Sequence, residues 1–152
     1  MTMDTTGFFQ YPGTMQPAGA APGFLENRGD EDWALLLDHT ETQLHRAGHE
    51  VLTAGEVDRA LYVLVDGRLE APSGSVLPTS TFGEAAFLDG RPRAVTVTAA
   101  TDAQVLRLSH EAFLSLSARR PELGRAVLLD LGRILAARLH LAAGDTTAGW
   151  TG

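Results

Sequence analysis

From Thr42 to Ser109 short apolar runs alternate with glycine turns. "TQLHRAG", "HEVLTAG", "RALYVLVDG", "RLEAPSG" and "RAVTVTAATDAQVLRLS" are rich in residues that suit strands, and four of the five close on a glycine. Gly48, Gly55, Gly67 and Gly74 recur at about 7 to 12 residues, the spacing of a barrel or sandwich of short strands. "VDGR", Val65 to Arg68, is the best single hairpin signal.

On both sides of this region the texture becomes helical. "GDEDWALLLDHTE" predicts a helix capped by Asp30 or Asp32 and carrying Trp33, Leu36 and Leu37. After the strands, "SHEAFLSLSARR" opens on a serine cap at Ser109, with Glu111 following. Pro121 then suits the first turn of a long helix, "PELGRAVLLDLGRILAARLHLAA". Gly144 is expected to stop that helix, with Arg138 and His140 in its last turn. The fold class expected is mainly β with flanking helices. It is a β-roll or jelly-roll barrel with a short internal helix, one N-terminal helix and two C-terminal helices. Residues 1–22 read as a flexible tail, 23–144 as the folded domain and 145–152 as a second tail.

On a helical wheel Leu123, Val127, Leu128, Leu131, Ile134, Leu135, Leu139 and Leu141 cover a broader arc than packing on one barrel needs. The surplus predicts a two-fold dimer along the long helix. The alternative is a helix buried by its own domain and Trp150. In the N-terminal tail, "GFFQYPG" groups Phe8, Phe9 and Tyr11. These aromatics read either as a docking peptide for a protein partner or as side chains folded back on the domain's own surface.

The 152 residues suffice for one domain with a real core, and 44% hydrophobic against 20% charged residues is globular. The formal charge is -7 and every basic residue is arginine. That balance argues against nonspecific binding to nucleic acid or to anionic membranes. Without cysteine there is no disulfide, thiolate or cysteine-held zinc. The first residues lack both basic residues and an apolar run, so no secretory leader is expected, and a cytoplasmic protein is.

Chemistry concentrates in "FGEAAFLDGRPRAVTV", Phe82 to Val97. A short helix starting at Gly83 would leave the N–H groups of Glu84, Ala85 and Ala86 free for an anion, most naturally a phosphate. "DGRP", Asp89 to Pro92, turns the chain back, so that Arg93 can present its guanidinium to the same anion. Glu84 would be repelled by a phosphate unless a sugar hydroxyl lay between them. The residues alone thus leave two readings open. One is a ribose-bearing phosphate ligand; the other is a plain Glu84–Arg93 ion pair.

This stretch resembles the phosphate-binding cassette of cyclic nucleotide-binding domains: Phe-Gly-Glu, small and aliphatic residues, a turn, then Arg93-Ala94-Val95-Thr96-Val97. The resemblance extends over roughly Phe24 to Ala143. It implies that Arg93 holds a cyclic phosphate, that Glu84 accepts from the ribose 2'-hydroxyl and that amides following Gly83, at Glu84, Ala85 and Ala86, complete the cradle. Ala94, which lacks a hydroxyl, implies cyclic AMP rather than cyclic GMP. The implied protein is a sensor or accessory subunit, not an enzyme, whose output passes through a partner or through assembly. Three positions depart from the pattern. Val95 replaces a smaller residue, Thr79 or Ser80 stands near an expected glycine, and no Ser or Thr lies between Ser117 and Thr146 to reach the base. A hydrophobic lid or Arg133 would have to cover the base instead. These departures keep open a second class, a ligand-free interaction module on the same fold. After the long helix only "GDTTAGWTG" remains, without the helix-turn-helix of the family's transcription factors.

Other constellations carry less. His45, His49 and Glu50 tempt a metal reading, but a turn at Gly48 separates the histidines, and His39, His110 and His140 lie elsewhere. Surface histidines and no metal are expected. Arg119, Arg120 and Arg125 read as solvated charges at helix ends.

Overall fold

The computed structural model describes residues 23–146. Helix α1 spans Asp30–Asp38. Eight strands follow: β1 Glu41–His45, β2 Glu50–Leu52, β3 Ala60–Asp66, β4 Leu69–Ala71, β5 Gly74–Val76, β6 Thr81–Phe82, β7 Val97–Ala99 and β8 Ala103–Ser109. A short helix, α2, occupies Glu84–Asp89 between β6 and β7. Helices α3, His110–Arg119, and α4, Pro121–Thr146, close the order.

Among the described residues the strands form two four-stranded antiparallel sheets, β1-β8-β3-β6 and β2-β7-β4-β5, and no closed barrel. The strand β3 explains the arrangement. Its sequence "ALYVLV" is apolar almost throughout because both of its faces are covered. Leu61 and Val63 face a core built with Trp33, Phe87, Phe113, Leu116, Leu123 and Leu131 from the helices. Ala60, Tyr62 and Leu64 face the second sheet through Leu52, Leu69, Val97 and Ala99. The sheets therefore stack face to face, with helices on the outside of the first.

The "VDGR" turn exists but does not make a hairpin. Strands β3 and β4 belong to different sheets, because β8 and β6 already hydrogen-bond both edges of β3. Gly67 lets the chain pass from one sheet to the other at φ +97°, pressed on the backbone of Asp102 and Ala103 where a Cβ would collide. The two-residue hairpin lies one strand later, between β4 and β5.

The helix ends depart from expectation in two places. Neither Asp30 nor Asp32 caps α1: Gly29 does, without a side-chain bond, and the acidic residues fill the first turn, where they favour the helix dipole. Asp32 instead accepts from Arg28 at 3.3 Å and from Arg120 at 2.6 Å, so Arg120 ties the α3–α4 corner to α1 rather than standing free in solvent. Helix α4 passes through Gly144 to Thr146, which leaves Arg138 and His140 short of its last turn. Glycine inside a helix costs about 1 kcal/mol and ends it only when it turns left-handed. Ser109 does cap α3, accepting from the Ala112 N–H at 3.0 Å.

Helices α3 and α4 cross where Gly124 lies on Ser117: a Cβ there would fall on Ser117 Oγ and 2.8 Å from its Cβ. An alanine normally favours a helix over glycine by about 1 kcal/mol. Here overpacking, roughly 1–3 kcal/mol, outweighs that gain. Gly124→Ala is expected to lower the melting temperature by several degrees in a thermal scan; a rise would show that the crossing yields.

Candidate functional site

The Phe82–Val97 segment folds into a cradle between the two sheets. Gly83 follows β6 in the left-handed region at φ +79° and starts α2. Only glycine fits, since a Cβ would stand 2.6 Å from Arg93 Nη1. The first amides of α2 have no carbonyl one turn earlier to receive them. Gly90 ends α2 at φ +74°, and the chain returns to put Arg93 beneath Gly83. The Arg93 backbone is itself held, its N–H donating to Glu56 O at 2.8 Å and its carbonyl accepting from the Gly55 N–H at 2.8 Å.

Arg93 is buried, with 3% of its side chain exposed. Its Nη1 donates to Gly83 O at 2.9 Å. Its Nη2 donates to Ala60 O at 2.8 Å and to Asp58 Oδ2 at 3.1 Å. The Tyr62 ring lies 5.4 Å from the guanidinium carbon and stacks on Phe82. The Nε–H of Arg93 is buried and unpaired. A charged donor left unmet in the interior is costly.

Glu84 is also buried, at 4% exposure. It does not pair with Arg93. Its Oε2 accepts from Thr81 Oγ1 at 2.6 Å and its Oε1 from Arg138 Nη1 at 2.8 Å, while Arg138 Nη2 reaches Thr81 O at 3.1 Å. The simple Glu84–Arg93 pair is therefore not formed: each charge has a separate counter-charge. Arg138, from α4, is the arginine at this site, not Arg133. Five residues along a helix turn about 140°, which places Arg133 on another face, beside Asp130 at 3.0 Å.

A cavity of about 310 Å³ opens on this arrangement, at the lower end of the range for small-molecule sites. Gly83, Glu84, Ala85, Ala86, Arg93, Ala94 and Val95 all line it. Ser73, Ser75 and Arg138 join them from β4–β5 and α4. The charged lining residues are Arg93, Glu84 and Arg138, and with Asp58 behind Arg93 the two cations are matched by two anions. Val95 is 42% exposed and so does not fill the interior. Thr79, near the missing glycine, adopts φ +74°, a left-handed conformation that costs a β-branched residue of order 1–3 kcal/mol.

The sequence profile of the cyclic nucleotide-binding domain matches residues 42–120. The chain belongs to the cyclic nucleotide-binding domain family. It is 31% identical over 103 residues to a CRP-like cAMP-activated global transcriptional regulator of Mycobacterium tuberculosis, covering 61% of this chain and 44% of that protein. It is 32% identical over 98 residues to a cAMP-dependent protein kinase regulatory subunit of Eremothecium gossypii, covering 60% of this chain and 21% of the other. The chain thus spans less than half the length of these curated relatives. The catabolite activator protein of Thermus thermophilus superposes with a TM-score of 0.70 at 26% identity, over 80% of this chain and 60% of that one. A cyclic nucleotide-binding domain from Methylobacillus flagellatus shares the fold, with a TM-score of 0.75 at 21% identity over 95% of this chain and 84% of that one.

Within the cyclic nucleotide-binding domain several site residues carried no signal in the sequence. Asp58 precedes β3 and gathers three donors: Arg93, Tyr62 Oη at 2.6 Å and Arg107 Nη2 at 2.7 Å. Arg107 continues to Tyr62 Oη at 3.2 Å and to the exposed Glu41 at 3.1 Å. Each pair is 35 or more residues apart apart from Asp58 and Tyr62, so spacing gives no hint of it. Phe8, Phe9, Tyr11 and Trp150 lie outside the described residues. Among the described residues no three His, Asp or Glu side chains gather as a metal site, and no helix is long and apolar enough to cross a membrane.

Burial alone would raise the Asp58 carboxyl, but hydrogen bonds from Tyr62, Arg107 and Arg93 outweigh it and hold the group below its ordinary value. Burial, with the bond to Asp58, pushes the Tyr62 hydroxyl up to about 12, so it remains a donor. A carboxyl depressed in the folded state contributes stability above its unfolded pKa, about 3.9, and loses that stability as pH falls through the folded value. Asp58→Ala is expected to cost roughly 3 kcal/mol at neutral pH, since Arg93 is left buried without its counter-ion. Its stability should also decline less than that of the wild type between about pH 5 and pH 2. Urea unfolding at neutral and acid pH checks both; an Asp58→Ala chain as stable as the wild type at pH 7 would contradict the pairing.

Proposed function

We propose that the domain binds cyclic AMP in this cavity and acts as a sensor or accessory subunit rather than as an enzyme. The observation that carries the reading is the unpaired Arg93 Nε–H, in a guanidinium that lines the cavity together with Gly83, Glu84 and Ala94. The phosphodiester would take that donor and the amides of Glu84, Ala85 and Ala86; Glu84 would accept from the ribose; Ala94 and Val95 would lie along the ligand. Arg138 covers the site from α4, the part left to a lid or to Arg133 in the sequence. The similarity to a cAMP-activated regulator and a cAMP-dependent kinase subunit supports the choice of ligand. A cytoplasmic role without direct contact to nucleic acid or membrane is part of the same proposal, on the formal charge of -7.

Calorimetric titration with cyclic AMP and cyclic GMP tests this directly. Losing a hydrogen bond to a charged group costs roughly 1.5–3 kcal/mol. Arg93→Glu should therefore weaken cyclic AMP binding at least ten- to a hundredfold. Glu84→Gln should weaken it less, because the amide oxygen still accepts. An unaltered curve for Arg93→Glu would refute the reading. One observation favours the ligand-free interaction module instead: Glu84 and the two terminal nitrogens of Arg93 are already satisfied within the chain. A wild type that binds neither nucleotide would select that alternative.

We further propose assembly through α4. Leu123, Val127, Leu131 and Ile134 are buried against the domain, whereas Leu128, Leu129, Leu139 and Leu141 are exposed. Leu128, Gly132, Leu135 and Leu139 follow one another at spacings of four, three and four, the seam of a helix pair. Residues 1–22, with Phe8, Phe9 and Tyr11, are proposed as a tail that docks a protein partner, and the second tail, expected from 145, is proposed to begin after α4, at 147–152. Light scattering at tens of micromolar is expected to give a dimer, and Leu139→Glu a monomer. A wild-type monomer with and without nucleotide would refute the seam.

A further inference from the structure

We propose that Arg59 is a positioning residue of the ligand site: it anchors the C-terminal end of α2 and thereby fixes the Glu84 carboxylate and the amides at the other end. The inference rests on the cyclic nucleotide reading for its ligand, but its geometry stands alone. A helix leaves its last carbonyls without partners of its own, and α2 has only six residues and no basic side chain in its last turn. A helix that short does not hold itself together in water. Its last carbonyls are nevertheless accounted for. Ala86 O accepts from the Gly90 N–H at 2.9 Å. Phe87 O accepts from Arg59 Nε at 2.9 Å and Leu88 O from Arg59 Nη2 at 2.8 Å. The guanidinium thus supplies, from a loop distant in sequence, both the donors and the positive charge that the end of a helix favours.

The anchor is itself fixed. Arg59 O accepts from the His110 N–H at 2.9 Å, at the start of α3, and Arg59 opens into β3, which is buried on both faces. Gly90 approaches the guanidinium closely enough that a Cβ would stand 3.5 Å from it. Beside it, Asp58 holds Arg93. Adjacent side chains therefore grip the segment on both sides of the Gly90 turn, one at the helix end and one at the arginine beyond it. Without Arg59, α2 keeps its sequence and its link to β6 but loses the hold that sets its distance from Arg93.

The test compares wild type, Arg59→Met and Arg59→Lys by calorimetric titration with cyclic AMP and by amide hydrogen exchange without ligand. Methionine keeps the apolar stem and removes the donors; lysine restores charge and one donor. Arg59→Met should bind about tenfold more weakly and Arg59→Lys should recover part of that loss. In the ligand-free exchange arm, Phe87, Leu88 and Asp89 should exchange faster in Arg59→Met while β3 and β8 keep their protection. A merely structural role would speed exchange throughout the domain and leave lysine without effect, and would overturn the inference. So would unchanged exchange in α2, or wild-type affinity in Arg59→Met. A wild type that binds no nucleotide would sink the ligand reading, and the exchange arm would still decide the role of Arg59.

Discussion

The ion pair between Arg93 and Asp58 is the contact on which the site's geometry depends. A guanidinium that is almost wholly buried needs a counter-charge and fixed acceptors, and Asp58, Gly83 O and Ala60 O supply them. Those partners come from the loop before β3, from the start of β3 and from the turn into α2. One side chain thereby ties three parts of the chain together. The requirement for glycine at position 83 follows from the same contact, since the arginine lies against that backbone. Asp58 in turn holds Tyr62 and Arg107, so the charge is embedded in a network rather than in a single pair.

That network is satisfied except at one donor. Both terminal nitrogens of Arg93 are bonded within the chain, which fixes the plane of the guanidinium before any ligand arrives. Rigidity of this kind lowers the ordering cost of binding. Glu84 is treated the same way, held by Thr81 below and Arg138 above. Because Arg138 belongs to α4, the carboxylate proposed to meet the ribose is in contact with the helix proposed to form the dimer. Ligand and assembly would then act on one element, which gives a physical route for a signal to leave the domain.

Much of this fold was legible in the sequence because it is written locally. Positive φ at Gly48, Gly55, Gly67 and Gly74 matches the turn spacing, and Ser109 and Pro121 start the helices they announce. The seven cassette residues read from the sequence line one cavity. What was not legible depends on distance. "VDGR" specifies a turn, but which sheet the next strand joins is decided by competition for the edges of β3. Arg138 and Arg133 look alike in sequence, and only the phase of α4 over the sheets separates them. Asp58, Arg59 and Arg107 acquire their roles from partners many residues away, and no local pattern encodes those pairings.

The unpaired Nε–H of Arg93 is the donor proposed to meet the phosphate. A crystal structure of the domain grown with cyclic AMP tests it most directly. The account predicts a phosphodiester oxygen within about 3 Å of Arg93 Nε, the Asp58 pair intact behind it and the ribose on Glu84. A nucleotide bound away from Arg93, or a cavity still empty at saturating cyclic AMP, would contradict it.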